Sequence, residues 1–348
     1  MREHVIMTPD GRRSSILVGR GMDDGLATLL GPDPRRRIAV VCQPTTLGLA
    51  TRYVNRFAAL GFEASGYNLP DGEEAKSMAV VEDVYRHLNQ QSFTREDLLV
   101  GVGGGALTDV AGFVAGTYLR GIPVVYVPTT LLGAVDAAIG GKTAVNVDGK
   151  NLAGVFKLPE GVVVDVDTLD ALPAERRVDG AAEALKTGFI MDMGIVEEYE
   201  ADPTSADLES IVNRSVAVKV SVVNEDFTEQ GRRAILNYGH TVGHAVETST
   251  GVSHGRAVAI GMVAAGAASA HLLGFSGEDR QRDVLGSVGL PIAAPEARRE
   301  SLMALMALDK KRDRSGLRMV VLETFGRPEI VPADDATVRC ALDAIGVV

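Results

Sequence analysis

Residues 98–151 read LLVGVGGGALTDVAGFVAGTYLRGIPVVYVPTTLLGAVDAAIGGKTAVNVDGKN, and the order of apolar runs and glycines in this stretch predicts the fold. An apolar run at residues 98–102 is typical of a buried parallel strand. Glycines follow at 103–105, and an apolar, helix-like segment covers residues 107–119. This order brings backbone N–H groups and the positive end of a helix dipole to one point, where a phosphate group can bind. A tight turn remains the alternative for the glycines taken alone.

Polar residues are dense after the second apolar run, residues 122–127. The hydroxyls of Thr129 and Thr130 follow this run directly, where ligands bind in open α/β sheets. An acid, two lysines and two amides come next among glycines: Asp136, Lys142, Asn146, Lys150 and Asn151. Such residues are difficult to explain as core. They indicate a ligand site, although neither GxGxxG nor GxxxxGK[ST] is matched.

Length, composition and net charge exclude several classes of protein. A chain of 348 residues with 46% apolar residues can bury two domain cores. The formal net charge of −11 argues against a nucleic-acid or anionic membrane partner. Cys42 and Cys340 are expected to be free thiols in a reducing compartment. Residues 1–15 lack the apolar core of a signal peptide, and the apolar residues 257–273 resemble an interior helix, so we expect a cytoplasmic protein.

The pattern of apolar residues changes near residue 172. Before it, short apolar runs alternate with helical segments up to residues 162–165, which predicts an open, mostly parallel sheet. After it, alanine-rich helical periodicity dominates, with one strand or strand pair at residues 319–322. We therefore predict an α/β domain at residues 1–174 and a helical domain at residues 175–348.

Three histidines and one acid suggest a metal site. His240 and His244 are spaced i, i+4, and His254 follows a glycine turn that can bring it back toward them. Glu183 and Lys186 share the face of another helix at i, i+3. Glutamate and histidines with an open position suit a catalytic zinc. Histidines that are simply satisfied within their helix are the alternative.

Basic residues recur beside polar and glycine-rich segments: Lys142, Lys150, Lys186, Lys219, Arg232, Arg233, Lys310 and Lys311. Each alone reads as a solvated surface charge. Together, in an acidic chain, they indicate a locally positive pocket for a small substrate that carries carboxylate or phosphate. Glu73 and Lys76 follow a predicted strand, where they form either an exposed capping pair or a nucleotide contact.

Long motifs in order make the chain resemble the 3-dehydroquinate synthases of the sugar phosphate cyclase group. The resemblance is densest in GGGALTDVAGFVAGTYLRG, VPTTLLGAVDAAIGGKTAVN, GKNLAGVF, AAEALKTGFI, NYGHTVGHAVE, SHG and LDKKR. It implies a Rossmann-like N-terminal domain, an all-helical C-terminal domain and a homodimer. It also implies NAD as cofactor and zinc as metal, with cobalt as an alternative.

The resemblance further implies roles for individual residues. Zinc is held by Glu183, His240 and His254, which leaves His244 on the substrate side. NAD is contacted by Glu73, Lys76, Gly104, Gly105, Asp109, Thr129, Thr130, Asp136, Lys142 and Lys150. The catalytic set is Lys142, Lys186, Lys219, Arg233, Asn237 and His244. Further substrate contacts come from Arg120, Asp136, Asn151 and one of Lys310 or Lys311, with Arg120 on the phosphate.

The implied reaction converts 3-deoxy-D-arabino-heptulosonate 7-phosphate to 3-dehydroquinate and phosphate, in the shikimate pathway of aromatic amino acid biosynthesis. Its steps are transient oxidation by NAD, phosphate elimination, reduction and intramolecular aldol closure, with zinc acidifying the reacting hydroxyl. One rival is another cyclase, of the 2-deoxy-scyllo-inosose or 2-epi-5-epi-valiolone synthase type. Others are a metal- and NAD-dependent polyol dehydrogenase and a catalytically silent binding protein. Lys219, Asn237 and His244 favour the carboxylated substrate.

The sequence departs from the family pattern at three places. Between Asn146 and Lys150 the chain has one residue fewer than is common. Arg256 stands where a glutamate is common, and Thr187 stands where a tyrosine is frequent.

Overall fold

The computed structural model describes residues 1–31, 33, 35–310 and 316–347, with the backbone alone at 308–310. The chain divides into two compact units. Unit 1 consists of Met1–Leu172 together with Lys219–Thr228, and unit 2 consists of Pro173–Val218 together with Glu229–Val348. The segment Lys219–Thr228, which falls within the predicted second domain, is thus grouped with the first.

Unit 1 is built on a seven-stranded sheet. Its strands are β1 (Arg2–Met7), β2 (Arg13–Gly19), β3 (Ile38–Cys42), β4 (Ala64–Asn68), β5 (Leu98–Gly103), β6 (Val124–Pro128) and β9 (Gly161–Asp165). Their order is β1-β2-β9-β6-β5-β3-β4. Only β1 runs antiparallel to its neighbour. The four strands β3, β5, β6 and β9 are buried at every position, which explains their predominantly apolar sequences.

Helices cover this sheet, and a small second sheet accompanies it. The helices of unit 1 are α1 (Asp23–Thr28), α2 (Leu47–Ala59), α3 (Met78–Gln90), α4 (Gly105–Thr117) and α5 (Val166–Asp170). The second sheet pairs β7 (Lys142–Val145) with β8 (Ala153–Phe156). The predicted mostly parallel α/β fold is confirmed. Cys42 and Cys340 are free thiols, as expected.

Unit 2 is helical with one added hairpin. Its helices are α6 (Ala174–Ile190), α7 (Met193–Ala201), α9 (His240–Thr250), α10 (His254–Leu273), α11 (Glu278–Ser287), α12 (Arg299–Lys310) and α13 (Asp335–Ala344). The hairpin pairs β10 (Arg318–Thr324) with β11 (Arg327–Pro332). The helical prediction is confirmed, but the region is not all-α, because the strand expected at residues 319–322 forms a full hairpin.

One helix is divided between the units. Helix α8 (Leu208–Glu225) contributes its turns up to Val218 to unit 2 and its remaining turns to unit 1. The reason lies in its contacts with unit 1. Lys219 pairs with Asp136, and the ring of Phe227 lies 5.8 Å from that of Phe156.

Helices α9 and α10 pack backbone against backbone. A Cβ atom at Gly261 would lie 1.9 Å from the carbonyl oxygen of Gly239, so only glycine permits this approach. Among the described residues, α10 is the one helix long and apolar enough to cross a membrane. Of its most apolar window, 72% is buried within the structure, which is typical of a core helix. The close crossing places the start of α9 against the middle of α10. The rings of His240 and His254, the first residues of the two helices, lie 5.4 Å apart.

Candidate functional site

The glycines 103–105 lie where strand β5 passes into helix α4. Gly104 is the N-cap residue, and no side-chain hydrogen bond caps this helix in the part of the chain that the structure describes. The next strand, β6, ends alongside, because the Thr129 N–H donates to the Gly103 carbonyl at 2.9 Å. The Thr130 hydroxyl accepts from the N–H of Gly133 at 3.1 Å. The helix N-terminus and the two threonines therefore lie at the carboxyl edge of the sheet, where a phosphate can bind.

A polar network lies in the same unit around a buried lysine. Lys76 is 4% exposed, and its Nζ lies 2.5 Å from both Asp109 Oδ2 and Asn151 Oδ1. The Asn151 N–H donates to Asn146 Oδ1 at 2.9 Å, and Asn146 Nδ2 donates to Glu73 Oε1 at 3.0 Å. The network joins residues expected on the nucleotide side with Asn151, which was expected on the substrate side.

Burial dominates the electrostatics of this network. Desolvation raises the pKa of the Asp109 carboxyl to about 6, and the charge of Lys76 opposes the rise. A carboxyl with such a pKa takes up a proton at mildly acidic pH.

Asp136 and Lys219 form a second pair in unit 1. Lys219 Nζ donates to both the Oδ1 atom and the backbone carbonyl of Asp136, each at 2.5 Å. Asp136 lies in a π-helical turn, Gly133–Ala137, directly after the two threonines. The lysine side chain is 8% exposed. A cation contributed by α8 thus reaches the turn that follows β6.

Three further residues of unit 1 are more open. Lys142, at the start of β7, and Lys150, in the turn before β8, are both exposed. Arg120 is exposed and has a φ of 68°, and its neighbour Leu119 has a φ of 51°. Two successive non-glycine residues in the left-handed region are uncommon and fix the direction in which the chain leaves α4.

The buried group in unit 2 is formed by one acid and two histidines. Glu183 on α6 is 0% exposed. Its Oε1 lies 3.5 Å from His240 Nε2 and 3.3 Å from His254 Nε2. One ligand atom from each of the three residues lies within 4.8 Å of the others. Oε2 of the same carboxylate contacts the buried ammonium of Lys186.

These residues fit a divalent metal. Among the described residues, Glu183 Oε1 has no hydrogen-bond donor although it is fully buried, an arrangement that a bound cation would satisfy. His240 Nδ1 lies 3.2 Å from the Tyr238 carbonyl, so it carries the proton and Nε2 keeps its lone pair. One carboxylate oxygen and two imidazole nitrogens form a zinc-type donor set.

Burial and neighbouring charges shift the pKa values of Glu183, His240 and His254. Burial alone would raise the pKa of Glu183, but Lys186, and then His240 and His254, hold it well below the usual range. Burial lowers the pKa of His240 to about 3, so this imidazole is neutral. Burial also opposes a charge on His254, but the adjacent carboxylates of Glu183 and Glu247 raise its pKa to about 9.

His244 lies beside this group. It is exposed, and its ring centre is 5.1 Å from that of His240. Its ligand atom also lies within 4.8 Å of those of Glu247 and His254, which gives a second possible donor set sharing His254. The i, i+4 histidine pair alone did not reveal this arrangement, because His254 comes from a different helix.

A cavity of about 270 Å³ opens beside the histidines. Its lining includes Asn237, His240, Thr241, His244 and Arg318. The Thr241 hydroxyl donates to the Arg318 carbonyl at 3.3 Å, which ties β10 to α9. Arg318 is not predicted from the sequence, because it stands in no motif. The only signal was a cation at the first position of an apolar strand.

The remaining candidates of unit 2 occupy different settings. Arg233 is 2% exposed within a 3-10 helix, Arg232–Asn237. Asn237 Nδ2 donates to Glu229 Oε1 at 3.2 Å. Lys310 is the last residue of α12, and its side chain is not described. Lys311 lies outside the described residues.

Comparison with known families gives consistent matches. Residues 66–179 match the family model described as 3-dehydroquinate synthase N-terminal, and residues 180–312 match that described as 3-dehydroquinate synthase C-terminal. A 3-dehydroquinate synthase from Arthrobacter sp. is 44% identical over 338 residues, which cover 94% of this chain and 93% of the relative.

Two solved structures share the fold over nearly all of their length. A 2-deoxy-scyllo-inosose synthase, complexed with carbaglucose-6-phosphate, NAD+ and Co2+, superposes with a TM-score of 0.88 at 26% identity, covering 98% of this chain and 99% of that one. A 2-epi-5-epi-valiolone synthase from Streptomyces hygroscopicus, with NAD+ and Zn2+ bound, gives a TM-score of 0.86 at 24% identity, covering 95% and 96%.

Proposed function

The chain belongs to the 3-dehydroquinate synthase family, and on that premise we propose that it converts 3-deoxy-D-arabino-heptulosonate 7-phosphate to 3-dehydroquinate and phosphate. It is an enzyme of the carbon–oxygen lyase class. The observation that carries the proposal is the buried Glu183 carboxylate facing the Nε2 atoms of His240 and His254. Such a donor set supports chemistry at a hydroxyl group, which the reaction requires at its first step.

Glu183, His240 and His254 hold the metal in this proposal. Zinc, or the cobalt bound in one related cyclase, supplies Lewis acidity that makes a bound hydroxyl group easier to deprotonate. Lys186 keeps the Glu183 carboxylate ionised, because its ammonium contacts Oε2 and leaves Oε1 for the metal. The Tyr238 carbonyl holds His240 in the tautomer whose Nε2 can bind.

NAD binds in unit 1, and when bound it supplies a reversible hydride acceptor. Gly104 and Gly105 offer backbone N–H groups to its pyrophosphate at the start of α4. Polar contacts come from Thr129, Thr130, Glu73, Lys76, Asp109, Asp136, Lys142 and Lys150. The network centred on Lys76 supports this assignment, because it places Glu73 and Asp109 within reach of one ammonium group.

The substrate is held by charge. It carries a carboxylate and a phosphate, and cations aimed at both contribute to orientation and to stabilisation of the developing negative charge. We assign this work to Lys142, Lys186, Lys219, Arg233, Asn237 and His244, with further contacts from Arg120, Asp136, Asn151 and Lys310 or Lys311. The burial of Arg233 and Lys219 supports the assignment, because buried cations act in a low dielectric.

The nearest rival is a cyclase for a sugar phosphate without the carboxylate. The 44% identity to a 3-dehydroquinate synthase, against 26% to the 2-deoxy-scyllo-inosose synthase, favours the carboxylated substrate. The test mixes purified protein, NAD and zinc with the heptulosonate phosphate, glucose 6-phosphate or sedoheptulose 7-phosphate, and follows phosphate release and product mass. We expect turnover of the first alone. Preferential turnover of either other sugar would contradict the proposal.

The location, pathway and oligomeric state of the enzyme are proposed from the same family membership. We assign it to the cytoplasm, to the shikimate pathway and to a homodimer in which Arg120 contacts phosphate. Light scattering of the purified protein tests the dimer, and a monomer with full activity would contradict it.

A further inference from the structure

The first turn of helix α10 is capped by a residue of another helix. His254 opens α10, and the N-cap residue Ser253 makes no capping bond to its own helix. Instead, the Ser253 hydroxyl donates to Asp179 Oδ1 on α6 at 2.5 Å. The Arg256 N–H donates to the same oxygen at 3.3 Å. The carboxylate of Asp179 thus accepts two hydrogen bonds from the turn that carries His254.

The backbone of this turn also lies directly against α6. A Cβ atom added at Gly255 would lie 1.9 Å from the Asp179 carbonyl oxygen and 2.8 Å from its Oδ1. No larger residue fits without moving one helix away from the other. Two features therefore hold α6 and α10 together at this point. Gly255 allows the close approach of the two backbones, and the Asp179 carboxylate accepts hydrogen bonds from the start of α10.

This contact lies next to two metal-site residues in the sequence. Asp179 and Glu183 are four residues apart on α6 and so lie on the same face. His254 lies between the two residues, Ser253 and Gly255, that contact Asp179. Its Nε2 lies 3.3 Å from Glu183 Oε1, while Nδ1 lies 3.1 Å from a second carboxylate, that of Glu247. Glu247 orients the ring, and Asp179 fixes the backbone from which the ring extends.

We propose that Asp179 is a positioning residue that sets the location of His254 relative to Glu183 by capping α10 from α6. The inference rests on the metal site proposed above. Within the described part of the chain, no hydrogen bond or ion pair joins the Asp179 carboxylate to the three metal-site side chains, so it acts through Ser253, Gly255 and the backbone of Arg256. A residue that holds a metal ligand in place affects metal affinity even when the rest of the fold is intact.

The test measures zinc affinity by competition with a chelator, and the absorption spectrum of the cobalt-substituted protein. In Asp179→Ala we expect zinc affinity to fall by about 10- to 100-fold and the cobalt spectrum to shift. Asp179→Asn keeps an Oδ1 acceptor, so it should stay close to wild type in both measurements. Ser253→Ala removes one donor at an exposed position and should give a smaller loss, which provides a second variant if Asp179→Ala folds poorly.

A matched control removes the same kind of cap elsewhere in unit 2. Asp334 caps α13 through the N–H of Thr337 at 2.8 Å and its hydroxyl at 2.7 Å. Asp334→Ala should lower the melting temperature without changing zinc affinity or the cobalt spectrum. This separates positioning of a ligand from general stabilisation of a helix.

Two outcomes would overturn the role of Asp179. If Asp179→Ala and Ser253→Ala bind zinc as tightly as Asp334→Ala, Asp179 is only a helix cap and does not position His254. A loss in Asp179→Asn as large as in Asp179→Ala would assign the effect to charge and not to hydrogen bonding. If wild type itself binds no zinc, the proposed metal site fails, and the positioning role fails with it. That failure is visible before any variant is made.

Discussion

The Nζ atom of Lys76 lies 2.5 Å from Oδ2 of Asp109, although the lysine side chain is only 4% exposed. The two residues are 33 positions apart and come from different elements of unit 1. Even with this cation in contact, burial raises the pKa of Asp109 to about 6. Desolvation therefore outweighs the attraction of the pair, as is common for buried ion pairs. The carboxylate is costly to keep ionised, and that cost depends on pH.

The first prediction concerns the pH dependence of stability. The pKa of Asp109 is about 6 in the folded chain and has an ordinary value of 3.8. Its stabilising contribution is therefore full below about pH 4 and is lost as pH rises through about 6. Without nucleotide, Asp109→Asn should gain about 2 kcal/mol in unfolding free energy relative to wild type between about pH 4.5 and about pH 7.5.

Urea unfolding at a series of pH values measures this difference. The matched control is Asp83→Asn, at an exposed position of α3, which should show no comparable trend. A difference between wild type and Asp109→Asn that stays constant with pH would show that Asp109 does not titrate in this window.

The second prediction concerns the metal. His254→Ala removes one of three ligand atoms that lie within 4.8 Å of one another, so the variant should lose both its stoichiometric zinc and its activity. Elemental analysis after dialysis and a phosphate-release assay measure the two losses. His271→Ala, at an exposed position near the other end of α10, is the control and should keep both. Undiminished zinc in His254→Ala would refute the ligand assignment.

The third prediction concerns the use of NAD. Because the proposed reaction oxidises and then reduces the same substrate, NAD is needed only in catalytic amounts. Substoichiometric NAD should therefore support many turnovers, and NADH absorbance should not rise as product forms. A continuous rise in NADH that matches product would instead favour the polyol dehydrogenase alternative.

The fourth prediction concerns substrate choice. A charge-assisted hydrogen bond contributes about 1.5–3 kcal/mol, so Arg233→Ala and Lys219→Ala should each lose at least about tenfold in kcat/KM with the heptulosonate phosphate. Lys219 should show the larger loss, because Asp136 would also be left without its lysine. The control is Arg339, an exposed arginine of α13: Arg339→Ala should change kcat/KM by less than about twofold.

The same variants, assayed with sedoheptulose 7-phosphate, separate the rival cyclases. If a cation binds the carboxylate, its removal should reduce the preference of the enzyme for the carboxylated sugar. An unchanged preference in both variants would show that neither Arg233 nor Lys219 recognises that group.

Local patterns predicted much of the fold. The apolar run, glycines and helix of residues 98–119 became β5, the Gly104 cap and α4, because buried parallel strands and helix starts have strong local signals. The sequence predicted only part of the β10–β11 hairpin. Its second strand, β11, begins with Arg327 and Pro328 and ends at Pro332, a composition that local reasoning excludes from strands.

The candidate site depended on contacts that sequence spacing does not contain. Spacing suggested His240 with His244, whereas the structure places His254 against Glu183, 71 positions away along the chain by residue number. Asn151 meets Lys76 across 75 positions. The contacts of Asp179 and of Arg318 likewise join separate elements. Helical periodicity fixes which face a side chain occupies, but not which helix that face meets.

Because Lys219–Thr228 belongs to unit 1, no single cut in the chain releases either unit intact. A fragment ending at Leu172 would lack the lysine that pairs with Asp136 and the ring that packs on Phe156. A fragment beginning at Pro173 would carry Phe227 without that partner. Gene fission or domain shuffling at this junction would therefore produce two incomplete polypeptides, so the two halves are expected to be inherited and expressed as one gene.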